Sequence, residues 1–165
     1  MDTKSILLRN LQMGTQAILP LIEDMKEAPL TYPTSKGGCH PLWILGHLVY
    51  SEGGLVHSFI LGKDNPNKDW EGIFKNGTDV KDDPNLYPSM DEILARFDVT
   101  RKMTLEVFDS LTEADMERES HAPEEFKEIF PTVAACLMMS EAHWWSHRGQ
   151  VVDSRKSLGR ERLGF

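Results

Sequence analysis

Two of the six histidines stand in a register that can do chemistry. His143 and His147 are four residues apart in a stretch with helical periodicity. At about 100° per residue they project from one face, about 40° apart and one turn above each other. Two imidazoles placed this way can chelate one divalent first-row metal. The bare spacing fits a surface histidine pair equally well. Steps of three and four through the same stretch give Thr132, Cys136, Met139, His143, His147 and Gln150, which reads as a face turned to an interior. Buried imidazoles need partners, because an unsatisfied buried polar group costs about 1–3 kcal/mol. Mutual hydrogen bonding is one solution. A shared metal is a better one, since it satisfies a nitrogen of each ring.

Such a metal needs a third ligand, and His47 is the best candidate. Its own stripe, Trp43, His47, Tyr50 and Gly54, is again apolar or small rather than charged. The plainer reading of His47 is a core histidine bonded to a backbone carbonyl. His57 lies ten residues on, about 80° round a helix from His47, and is not expected to converge with it. His40 sits at a helix boundary, where capping accounts for it, and His121 precedes Ala-Pro in a loop. No general base stands at helical spacing from the ligands, since Glu141 points about 160° away from His143. The chain contains no His-Glu-x-x-His, nucleophile elbow, phosphate-binding loop or dinucleotide fingerprint.

The elements that must position these residues read as long amphipathic helices. The first spans roughly residues 3–26, with Pro20 expected to kink or divide it. The second starts at Pro41, a good first-turn residue, and runs to about Leu61. Gly46, Gly53 and Gly54 lie inside it, each costing about 1 kcal/mol against alanine. Close packing against the backbone and room there for a ligand are equally good reasons for them. Residues 62–88 form a long polar connection in which Trp70, Phe74 and Tyr87 are apolar anchors, and it is expected to border the metal's open side. A Ser89-Met-Asp-Glu92 capping box opens the third helix, which continues to Leu111. After a short prelude at 123–130, the fourth runs from Pro131 to about Leu158. Leu8, Val56, Phe97 and Leu137 exemplify the core contributed by each. Four such helices and no convincing strand predict an all-α four-helix bundle, a single domain over 1–165.

Composition narrows the partners. A formal charge of −8 and no basic stripe on any helix argue against nucleic acid, which needs a phosphate-neutralising face. No apolar stretch approaches the ~18 residues of a membrane span, so no membrane partner is expected. Two distant cysteines, Cys39 and Cys136, give no disulfide framework. With no secretory pattern at Met1-Asp-Thr-Lys-Ser, a cytoplasmic location is expected. Apolar content on the first and third helices suggests a homodimer through faces away from the metal.

Taken together, Trp43-Ile-Leu-Gly-His47-Leu and His143-Trp-Trp-Ser-His147-Arg-Gly-Gln150, followed by Arg155 and Leu158-Gly159, resemble the DinB-like (YfiT-like) metalloenzyme superfamily. The resemblance covers most of the chain in helix order, while its specific motifs occupy about twenty residues. It implies a four-helix bundle in which His47, His143 and His147 hold one divalent metal with positions open to water or substrate. It also implies a small-molecule substrate, since characterised relatives include S-transferases acting with low-molecular-weight thiols and a maleylpyruvate isomerase. Three neutral imidazoles leave a metal's charge undiminished, so either thiol activation or a metal-dependent hydrolase follows chemically. A non-catalytic metal-binding or stress-response module is the reading from another class. Imidazole ligands suit zinc, nickel or iron alike.

Overall fold

The computed structural model describes residues 2–26, 28–32 and 38–163. Helix α1 covers Thr3–Glu23, α2 Pro41–Gly53, α3 Glu71–Phe74, α4 Met90–Ser110 and α5 Val133–Ser157. Among the described residues there is no strand, only an isolated bridge between Glu119 and Thr132. The architecture is therefore all-α. No described helix is long and apolar enough to cross a membrane.

Each long helix begins on a residue able to satisfy its free amides. Asp2 Oδ1 accepts from Ser5 N–H at 2.7 Å, and Thr132 Oγ1 accepts from Ala135 N–H. His40 caps α2 as expected, its Nδ1 accepting from Trp43 N–H while Nε2–H donates to the Lys81 carbonyl. Ser89 and Glu92 close the capping box of α4 reciprocally. Pro20 does not divide α1, which runs through it to Glu23. The proline stands on the exposed side of the last turn, so the one hydrogen bond it removes is lost where water can replace it.

The second helix changes character where the glycines fall. From Gly54 to Ile60 the backbone is π-helical, a looser winding with i→i+5 bonds. Beside this transition the following loop supplies donors: Asn65 Nδ2 to the Tyr50 carbonyl and Asn67 Nδ2 to the Val49 carbonyl, both at 3.0 Å. A Cβ at Gly53 would sit 2.4 Å from Asn65 Oδ1, so this glycine admits the loop rather than a ligand. Residues 62–88 are less open than a polar connection suggests. They contain α3 and two turns of 3₁₀ helix, and they bury Trp70 and Phe74 in the core.

Helix α1 packs on α5, and α2 packs on both α4 and α5. Val56, Phe97 and Leu137 are buried as expected, whereas Leu8 is only half-buried. Through this core runs a buried charged pair. Glu52, 2% exposed, accepts Arg101 Nε at 2.8 Å and a terminal nitrogen at 2.7 Å. Arg101 also donates to Thr15 Oγ1 at 2.7 Å and lies over the rings of Phe97 and Trp144. One guanidinium thus ties α1, α2, α4 and α5 together beside the histidine-bearing helices.

Candidate metal centre

His47 comes from the middle of α2, and His143 and His147 come from adjacent turns of α5. Their Nε2 atoms meet. His143 Nε2 lies 3.1 Å from His47 Nε2 and 3.1 Å from His147 Nε2, and one ligand atom from each residue falls within 4.8 Å of the others. The outer nitrogens are held from behind. His47 Nδ1 is 2.7 Å from the Phe74 carbonyl, and His147 Nδ1 is 2.6 Å from Gln150 Oε1.

These contacts fix the tautomers. A carbonyl oxygen only accepts, so His47 Nδ1 must carry the proton and Nε2 presents a lone pair. With the Gln150 amide oriented oxygen-first, the same holds for His147. His143 Nε2 faces both lone pairs and can donate to one at most. Adding a proton is no remedy at neutral pH. Burial holds His47 down to about 4 and His143 down to about 3, and lowers His147 as well. A divalent cation would take all three lone pairs at once. Two nitrogens about 2.0–2.1 Å from one ion are separated by roughly 2.9–3.4 Å at octahedral to tetrahedral angles, which the two 3.1 Å contacts of His143 match, while the third pair lies within 4.8 Å. Among the described residues, no thiolate or carboxylate joins the three histidines. Closed structural zinc sites usually have four protein ligands, and this group offers three.

A family model of the DinB superfamily matches residues 10–151. The chain belongs to the DinB superfamily. No curated protein matches it. The matched span includes all three histidines, the whole of α2 and α5 as far as Val151. Within this DinB-superfamily chain, the His47 ring does bond a backbone carbonyl, and that bond aims its other nitrogen at His143.

The remaining histidines stay apart. His40 caps α2; His57 is buried in the π-helical segment, outside the cluster; His121 is exposed in a loop beside Gly62. The α5 stripe is less interior than its composition suggests. Cys136 is buried, His143 and His147 are half-buried, and Met139 and Gln150 are exposed, so the site lies where the stripe emerges from the core. Glu141, half-buried with its carboxyl pushed upward by burial, is outside the histidine group.

Three further groups support the site, in ways the sequence alone does not show. The Phe74 carbonyl is main chain. Gly46 allows the Phe74 ring against α2, since a Cβ there would lie 2.2 Å from two ring carbons. Trp43 stacks on His47 with centroids 4.5 Å apart and planes within 11°, while its Nε1–H donates to the Ile73 carbonyl and to Thr78 Oγ1. The segment 71–78 and the ring of His47 are therefore braced by the same indole. Trp43, Gly46 and Gln150 all stand in the quoted motifs, and the partner of each is now defined.

Proposed function

We propose that His47, His143 and His147 hold one divalent metal through Nε2, and that the protein is a metal-dependent transferase acting with a low-molecular-weight thiol. The observation that carries the metal is the convergence of Nε2 lone pairs whose tautomers are set by Phe74 and Gln150. When bound, a divalent ion surrounded by neutral imidazoles supplies undiminished Lewis acidity, which favours the thiolate form of a thiol. The chain's own residues do the positioning. Trp43 fixes the plane of His47, Phe74 and Gln150 keep the outer protons on Nδ1, and burial keeps the imidazoles neutral and available.

The test loads purified protein with cobalt and adds 2-mercaptoethanol while the visible spectrum is recorded. A saturable spectral change that is lost in His143→Ala supports the reading. Full cobalt loading with no response to thiol contradicts it, and hydrolysis of p-nitrophenyl acetate by the same sample would favour a metal-dependent hydrolase.

The same reading includes a homodimer in the cytoplasm. Ile6 and Met13 on α1 and Met138 and Trp145 on α5 are exposed, and these two helices are neighbours. On α4 only Val99 is an exposed large hydrophobic, so the dimer face is assigned to α1 and α5 rather than to the third long helix. Sedimentation showing only an 18.8 kDa species at high concentration would reject it. Free Cys39 and Cys136 suit a reducing compartment.

A further inference from the structure

A cavity of about 460 Å³ opens between Leu21 of α1, the last turns of α5 and residues 160–163. Its wall contains Arg148, Arg155, Lys156, Arg160 and Arg162 against a single carboxylate, Glu161. The chain as a whole has 26 acidic and 18 basic side chains, so five of its cations at one cavity run against its composition. Asp24 sits between Arg155 and Arg160 and neutralises part of this charge. Arg148 aside, the four other cations exceed Asp24 and Glu161 by two among the described residues.

The helix end explains only some of them. Cations in the last turn of a helix are favoured by its dipole, which accounts for Arg155 and Lys156. Arg160 and Arg162 lie beyond the helix, where its dipole does not account for them. Nor does fold stability use them all. Arg155 is 4% exposed and binds the Leu21 and Glu161 carbonyls, and Arg160 binds Asp24, so these two build the wall. Among the described residues neither Lys156 nor Arg162 is in an ion pair. Leu21, Val152 and Leu163 give the same cavity an apolar side. Its volume falls within the roughly 300–1,000 Å³ of small-molecule sites.

We propose that this cavity binds a small organic anion, a carboxylate or phosphate monoester carried on an apolar body. Arg155 and Arg160 form a rigid cationic frame, Lys156 and Arg162 supply the mobile contacts, and the aliphatic residues take the body of the ligand. None of the three clustered histidines lines this cavity, so it is a second site.

The experiment is calorimetric titration of the full chain with sodium octanoate and with monooctyl phosphate, using octyl glucoside as the neutral control. At least one anion is expected to bind saturably, weakening as salt rises from roughly 0.05 to 0.5 M because the contacts are screened. The double variant Lys156→Ala/Arg162→Ala should weaken it about tenfold or more through loss of two charged donors. Should that variant fail to fold, the single charge reversal Arg162→Glu makes the same comparison. His143→Ala should leave the affinity unchanged. Relative affinity for octanoate and octyl phosphate identifies which headgroup the cavity takes. Absence of saturable binding by both, equal affinity in the charge variants, or equally tight octyl glucoside would overturn the assignment.

Discussion

Replacing Gly46 by alanine should disturb stability and metal affinity together. The added Cβ would sit 2.2 Å from Cε1 and Cζ of Phe74 and 2.7 Å from Cδ1. Carbon–carbon contacts are optimal at about 3.5–4.0 Å, so the ring must shift by more than an ångström. Phe74 is fully buried, with Trp70 at 5.2 Å and Tyr87 at 6.0 Å between centroids, and has no solvent to move into. Overpacking of this kind costs about 1–3 kcal/mol. The displacement also moves the carbonyl that orients His47, and losing such a support typically lowers metal affinity about 10–100-fold. Urea unfolding and chelator competition measure the two effects. Adding Phe74→Leu to Gly46→Ala should recover part of both, because the smaller side chain vacates the clash. A Gly46→Ala protein with an unchanged unfolding midpoint and unchanged metal affinity would refute the coupling.

Other outcomes follow from the same contacts. Gln150→Ala should weaken metal binding by roughly tenfold with little change in unfolding midpoint, because Gln150 is exposed and its oxygen serves His147; Gln150→Glu should restore binding, and equal affinity in all three proteins would contradict this role. Arg101→Met leaves Glu52 buried and unpaired, so urea unfolding should show a loss of about 3–5 kcal/mol; an unchanged midpoint would count against the pair. Metal-free protein should lose stability as pH falls below 6.5, the ordinary histidine value at which an unfolded chain begins to take up protons that His47 and His143 refuse. That loss should continue to about pH 4 for His47 and about pH 3 for His143, with no contribution from either above 6.5. A midpoint constant between pH 7 and 5 would show that these rings are not held neutral.

The parts legible in the sequence are those with local signals. Pro41 announces a helix start as a first-turn proline and Ser89 through a capping box that spans three residues, and the His143–His147 register follows from helix geometry alone. The π-helical winding at Gly54–Ile60 was not legible, since seven residues cannot separate its period from that of an α-helix. Gly46 and Gly53 were ambiguous for a related reason. What presses on them, Phe74 and Asn65, comes from a loop whose path no local pattern fixes. The pairing of Glu52 with Arg101, 49 residues apart, has no periodic signature, and the Phe74 carbonyl has no side-chain identity to read. Met139 and Gln150 are exposed because the buried face of α5 runs beside that stripe, through Val133, Leu137, Ser140, Trp144 and Val151.

Metal content of the purified protein, measured by elemental analysis alongside circular dichroism, tests the centre most directly. Wild-type protein should carry about one divalent ion per chain, the number a three-imidazole site of this kind holds. His143→Ala removes the nitrogen that faces both other rings, and should abolish most of that occupancy while leaving the helical spectrum intact. Full occupancy in His143→Ala, or a wild-type protein that takes up no divalent metal when supplied with zinc, nickel or iron, would contradict the account.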